Sequence, residues 1–338
     1  MHPAGGPVRQ AIALVFVFLV MATGAFGATC QGRNLLPDLD PAERGSLDAI
    51  IARVPFAKGN AWRATRGDEV VTLVGTYHFD DPRFDAVMER HLPEIRAART
   101  VLVEAGREET EALRSATEKD PSLLFTLQGP TLPERLSEEE WQQLSTALAA
   151  RGIPPFLGSK MKPWYVSVLL AVAPCAVPGL TKGADGLDAR VIDAALGAGV
   201  PVRALEPYDT AIRIFREMGA AQEIRMLRQS LVLEEDAENM SATLLAAYFD
   251  EEPRLIWEFS RLMSYRTDPR DRAAIDADYA EIEEVLMVRR NRSWIPVIAG
   301  AAKAGPVFAA FGALHLSGDK GVLALLAQEG FVIERIAY

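Results

Sequence analysis

The chain is poor in the residues that most often announce a chemistry. Of its 338 residues only two are cysteine and four are histidine. No Cys-x-x-Cys pair, Gly-x-Ser-x-Gly elbow or phosphate loop occurs, which removes the strongest local signatures of redox, serine-hydrolase and nucleotide sites. Gly183-Ala184-Asp185-Gly186 is glycine-rich, but no clear strand precedes it, so it is a poor nucleotide signal. Positive charge is scarce as well. Thirty-six Lys and Arg against 46 Asp and Glu leave a net charge of -10, and a nucleic-acid partner normally needs a basic face. Short-period repeats and low-complexity segments are missing too. Two apolar runs, Ala11 to Ala22 and Pro163 to about Ala173, are shorter than the ~20 residues that span a bilayer. No transmembrane segment is expected in the mature chain.

What is present is ordinary globular material, 49% hydrophobic and 24% charged, and long enough to bury a real core. The N-terminus reads as an export signal. His2 and Arg9 lead into the Ala11–Ala22 run, and Ala25-Phe26-Gly27 puts small residues where a signal peptidase needs them. Residues 1–27 are therefore expected to be a cleaved signal peptide, and 28–338 a single α/β domain placed in the periplasm or outside the cell. Lipoprotein anchoring at Cys30 is the weaker alternative, because Gly27-Ala28-Thr29 lacks the usual Leu before the cysteine. An even cysteine count in an exported chain predicts a Cys30–Cys175 disulfide.

Two stretches organise the rest. Val70 to Val74 runs into Gly75-Thr76-Tyr77-His78, and Pro306 to Phe311 runs into Gly312-Ala313-Leu314-His315. Each is an apolar strand-like run ending in Gly-x-x-His, followed by a helical pattern and another strand. Around the first unit, Asp40-Pro41-Ala42-Glu43 starts a helix to about Ala52, and Trp62–Val74 reads as a hairpin turning at Gly67-Asp68. Asp81-Pro82 opens a helix, and Thr100–Val103 is a strand stopping on Glu104. A large helical middle, about 107–302, contains one further strand, Val202–Leu205, ending on Glu206. The last unit reads as strand to His315, helix Asp319–Gln328 and strand Phe331–Ile336. Strand-helix-strand units at both ends predict an α/β fold with a mainly parallel or mixed central sheet.

Ligands of open α/β sheets sit beyond the carboxyl ends of strands. His78, Glu104, Glu206 and His315 are all expected there. Two imidazoles and one or two carboxylates suit a divalent metal with a position left for water. A lone histidine in such a setting reads as a cap or core residue; the duplicated context brings the shared-site reading level with that one. Glu104 reads equally as a strand-end acid capping the next helix, and Glu206 before Pro207 similarly. Arg289-Arg290-Asn291-Arg292 is the cationic end of a long helix or, alternatively, an anion clamp. His91 is expected in the core, and aromatic packing accounts for Trp164.

Gly75-Thr76-Tyr77-His78, Val101-Leu102-Val103-Glu104, Lys162-Pro163-Trp164, Gly186-Leu187-Asp188, Leu205-Glu206, Arg290-Asn291 and Gly312 to Gly321 together resemble the TraB/GumN family. That family is related to the Tiki metal-dependent proteases and, further off, to the erythromycin-esterase and ChaN-like proteins. The resemblance implies that both histidines and Glu104 line one site, and it lends Arg290-Asn291 a place there. The expected function is an exported metal-dependent hydrolase acting on peptides or another small substrate. His78, His315 and Glu104 would hold the metal, with Glu206 in support and Arg290 and Asn291 orienting substrate. A non-catalytic binder of a peptide, metal or haem-like ligand is the alternative.

Overall fold

The protein is described by a computed structural model over residues 30–181, 186–268 and 270–338. The expected signal peptide and Gly183 to Asp185 lie outside the described residues. β1 (Ala61–Arg66) and β2 (Glu69–Thr76) form the predicted hairpin. It turns at Gly67, whose φ of +58° lies in the left-handed region that glycine enters freely. With β3 (Thr100–Val103), β4 (Val202–Ala204), β5 (Val307–Gly312) and β6 (Val332–Arg335), the sheet has the order β4-β3-β5-β2-β1-β6. β4, β3, β5 and β2 are parallel, whereas β1 runs antiparallel to both its neighbours. The sheet is mixed.

The longer helices are α1 (Pro41–Ile51), α2 (Phe84–Ala97), α3 (Arg107–Lys119), α4 (Glu138–Ala150), α5 (Pro163–Leu170), α6 (Leu187–Gly197) and α7 (Thr210–Glu217). They continue as α8 (Ala220–Glu234), α9 (Ala237–Phe249), α10 (Pro253–Thr267), α11 (Arg272–Glu283), α12 (Arg289–Ala302) and α13 (Val322–Gln328). Strand periodicity decides the layers, because successive side chains point to opposite faces. Leu73, Leu102, Ala309 and Phe311 pack on one face against α12 and α13 through Trp294, Ile298, Val322 and Leu326. Val74, Val101, Val103, Phe308 and Ala310 pack on the other against α2 and α6 through Phe84, Val87, Leu187 and Val191. A parallel strand covered on both faces has no solvent side, which is why β5 reads Val-Phe-Ala-Ala-Phe without a polar residue.

Each Gly-x-x-His strand is followed by a crossover helix, β2 by α2 to β3 and β5 by α13 to β6. The second crossover carries β6 past β2 to the outer edge of β1. Several expected boundaries shift: α2 starts at Phe84 rather than at Pro82, and α13 at Val322 rather than Asp319. β5 stops at Gly312, and His315 sits in a 3-10 turn, Ala313–His315. α5 ends at Leu170, with a separate 3-10 turn at Pro174–Ala176. Arg289 to Arg292 open α12 after a π-helical turn, Glu284–Val288, and so are not the carboxyl end of a helix.

Cys30 and Cys175 are joined, with Cα atoms 5.1 Å apart. The segment after Cys30 runs along the start of α9, where the Arg33 N–H donates to Asn239 Oδ1 and the Leu35 N–H to Thr243 Oγ1, each at 2.9 Å. Among the described residues no helix is long and apolar enough to cross a membrane.

Candidate functional site

Four adjacent parallel strands end on the same side, and each delivers one of the singled-out residues. In spatial order these are Glu206 after β4, Glu104 after β3, His315 after β5 and His78 after β2. α12 lies across these ends and adds Arg290 and Asn291. The six residues predicted from the sequence therefore converge. His91 does not join them; it is buried between the Phe308 and Tyr338 rings. Trp164 stacks on Phe215, also away from the floor.

The two motif glycines explain themselves by contact. A Cβ on Gly75 would stand 2.7 Å from Leu316 Cδ1 and 2.8 Å from Ala313 Cα, both in the turn of the other unit. A Cβ on Gly312 would stand 3.2 Å from Glu104 Oε1, 3.5 Å from His78 Nε2 and 3.7 Å from His315 Cδ2. One glycine lets the two units nestle together; the other leaves open the point on which two imidazoles and a carboxylate converge.

Outer hydrogen bonds fix both rings. Asp188 Oδ2 accepts from His78 Nδ1 at 2.8 Å, and Thr76 Oγ1 donates to Asp188 Oδ1. For His315 the partner is an amide. Asn291 Nδ2 donates to the Lys320 carbonyl at 2.9 Å, which leaves Asn291 Oδ1 to accept from His315 Nδ1 at 2.6 Å. With Nδ1–H spent in both rings, Nε2 of the neutral His315 ring faces inward as an acceptor, and His78 Nε2 becomes one when that ring gives up its second proton. Arg290 is the hub of the carboxylates. Its Nε and Nη2 pair with Glu206 at 2.9 and 2.7 Å, Nη2 also reaches Glu104 at 2.6 Å, and Nη1 donates to the Leu286 carbonyl and to His315 Nε2. Trp294 Nε1 donates to Glu206 Oε2, and the Gly312 N–H donates to Glu104 Oε1 at 2.6 Å.

These surroundings push the titrations apart. Burial drives His315 down to about 3, and the nearby Arg290 and His78 cations add to that against the pull of Glu104. His78 moves the other way. Burial alone would lower it, but the hydrogen bond and charge of Asp188, with Glu104 behind, lift it to about 9. Its side chain is 63% exposed, so solvent screens part of that effect. Burial opposes ionisation of Glu104, yet His315, Arg290, His78 and the Gly312 N–H outweigh it and hold the carboxyl at about 2. Because His315 is neutral near pH 7, the Arg290 guanidinium, the His78 cation and the Gly312 amide are the lasting contributors.

A profile of the TraB/PrgY/gumN family matches residues 60–335, from β1 to β6. The chain belongs to the TraB/PrgY/gumN family. Two relatives are each 24% identical to it. The uncharacterized protein YbaP of Escherichia coli K12 aligns over 258 residues, 75% of this chain and 86% of its own. Its Shigella flexneri counterpart aligns over 252 residues, 73% and 84% respectively.

In this TraB/PrgY/gumN protein Asp188 is the site residue that sequence patterns hide. Its signals are an acid in the first turn after Gly186, which reads as an ordinary helix-start residue, and a place in the Gly186-Leu187-Asp188 motif, which by itself assigns it no role. Its location is imposed by Gly186, where a Cβ would meet the His78 carbonyl carbon at 2.4 Å, so that α6 begins directly against the His78 turn. A cavity of about 560 Å³ opens above the floor and is lined by His78, Glu104, Arg290, Gly312 and His315 among others. Donor chemistry and orientation suit a divalent ion, with two inward Nε2 atoms and a carboxylate around the open point at Gly312. As they stand, no three His, Cys, Asp or Glu side chains among the described residues are gathered closely enough to hold one, and His315 Nε2 is 3.9 Å from Glu104 Oε1.

Proposed function

We propose that this protein is an exported metal-dependent hydrolase that cleaves peptides, with His78, His315 and Glu104 as the metal donors. One observation carries the reading: each inward-facing Nε2 belongs to a ring whose Nδ1–H is pinned by an outer acceptor. Metal-binding histidines almost always have such an outer partner, which sets tautomer and aim. Glu104 and Glu206 face the Arg290 guanidinium and Asp188 faces His78, so once the His78 proton is displaced the floor carries negative charge for a cation to neutralise. A bound divalent ion supplies Lewis-acid polarisation of a carbonyl and acidification of water.

The protein's own groups do the rest. Asp188 and Asn291 are positioning residues: both Asn291 functional groups are spent on His315 and Lys320, so it acts through the ring. Glu206 and Trp294 hold the Arg290 guanidinium flat across the floor. All five Arg290 N–H groups are engaged, and release of His315 Nε2 from its 3.2 Å contact frees one Nη1–H toward substrate oxygen. Glu104, kept ionised, serves as ligand or as acceptor of a proton from water. Export agrees with the Cys30–Cys175 bond, which forms in oxidising compartments.

The saturated guanidinium and the unclosed donor set favour a second reading, a binder of peptide, metal or a haem-like ligand that does not turn over. Metal analysis of the purified protein beside a peptidase screen separates the two. Stoichiometric metal and hydrolysis that both vanish in His78→Ala and His315→Ala support the hydrolase. Metal with no hydrolysis across the screen supports the binder, and no metal after reconstitution would sink both metal readings.

A further inference from the structure

Above its polar floor the 560 Å³ cavity is walled by apolar side chains, with Leu244, Trp257, Leu286 and Met287 foremost. Its size lies within the roughly 300–1,000 Å³ of pockets that enclose small ligands. Among the described residues the wall carries no free charge. Glu234 accepts two hydrogen bonds of 2.7 Å from Arg151, whose side chain is 2% exposed. Ser230 and Ser260 on the same wall donate to the Met226 and Ile256 carbonyls. A charged group entering the chamber would lose its hydration and meet no counter-ion among the described residues above the floor.

We infer that the chamber selects a polypeptide segment bearing a large uncharged apolar residue, seated with its backbone on the His78–Glu104–His315 floor. Treating that residue as the neighbour of the cleaved bond rests on the hydrolase reading above. Floor and wall belong to one cavity, so the group that is read and the group that reacts are brought in together. Leu244 is the residue through which to test this. It lines the chamber from α9, is only half-buried, and lies outside the packed core clusters.

The test uses the metal-free full-length protein and the neutral apolar dye N-phenyl-1-naphthylamine, whose fluorescence reports binding. Two capped peptides then compete, Ac-Ala-Phe-Leu-Ala-amide and Ac-Ala-Glu-Lys-Ala-amide. The apolar peptide is expected to compete at least about tenfold better, a discrimination of the size apolar pockets achieve. Leu244→Asp is expected to weaken dye binding by about tenfold or more, while Leu244→Met, which keeps an apolar side chain, retains it. Equal competition by the two peptides, or unchanged dye affinity in Leu244→Asp, would overturn the inference. Loss of binding in Leu244→Met as well as Leu244→Asp also overturns it, since polarity would then not be what matters. Apolar selectivity with no hydrolysis by the metal-loaded protein supports the selective chamber and overturns only the hydrolase reading.

Discussion

The two Gly-x-x-His units share a sequence pattern and differ in almost every physical respect. The β2 unit places His78 at the wet edge of the cavity on a carboxylate; the β5 unit buries His315, 6% exposed, on an amide. One ring is therefore drawn toward the charged state and the other is kept neutral. The difference lies in the residue behind Nδ1 and in how much water reaches the ring. A duplicated motif marks a place, and its surroundings decide its protonation.

Removing either ring breaks the comparison outright. His78→Ala and His315→Ala should each reduce peptide hydrolysis by at least about a thousandfold, as expected for parts that act as a unit. A hydrolysis rate within tenfold of wild type in either variant would remove that histidine from the site.

Arg290→Ala strikes the hub between the units. It strands the Glu104 and Glu206 carboxylates, 19% and 11% exposed, and should lower stability by about 3 kcal/mol, the range for breaking a buried pair. Urea denaturation of the metal-free protein measures this, and Arg290→Lys should lie between the two.

Exchanging the outer partners sharpens the comparison. Asp188→Asn should bring the His78 titration down from about 9, and Asn291→Asp should raise that of His315, both read by NMR of the imidazole protons. Each change should also weaken metal binding by about 10–100-fold. If His78 titrates unchanged in Asp188→Asn, Asp188 is not what lifts it.

The smallest effects are in pH. A metal must displace the proton on His78, so metal affinity should rise with pH and level off above about 9, with no second step near neutrality from His315. For the metal-free protein the sign is opposite. The folded pKa of His78 exceeds its ordinary 6.5, so its stabilisation is complete below 6.5 and lost as pH rises through about 9. A thermal midpoint that falls slightly over this window in wild type, and not in Asp188→Asn, is the expected result.

The fold was readable where local chemistry is strong. Gly67 between two alternating runs specifies a hairpin, and the apolar run before Gly312 specifies a strand covered on both faces. Strand direction was readable where a crossover helix links two strands, which gave the parallel part of the sheet; β6 pairing antiparallel with β1 has no signature in its residues, since periodicity is the same for either neighbour. The Arg289–Arg292 cluster misled for a related reason. A π turn carries the helix through residues 284 to 288, so the cluster reads as a helix end when it lies inside a continuous helical run. For the site, residues at strand ends could be placed because topology brings strand ends together. Asp188 could not, since its contact with His78 spans 110 positions and depends on the close approach allowed by Gly186.

The Cys30–Cys175 link bears on when the pocket becomes complete. It ties a segment lying along α9 to the loop beyond α5, and both helices end up on the cavity wall. In a reducing compartment that strap is open, and the wall is held by its helix contacts alone. On the exported reading the cavity would receive its last fastening only after the chain reaches an oxidising space, and place of arrival would be a step in its maturation.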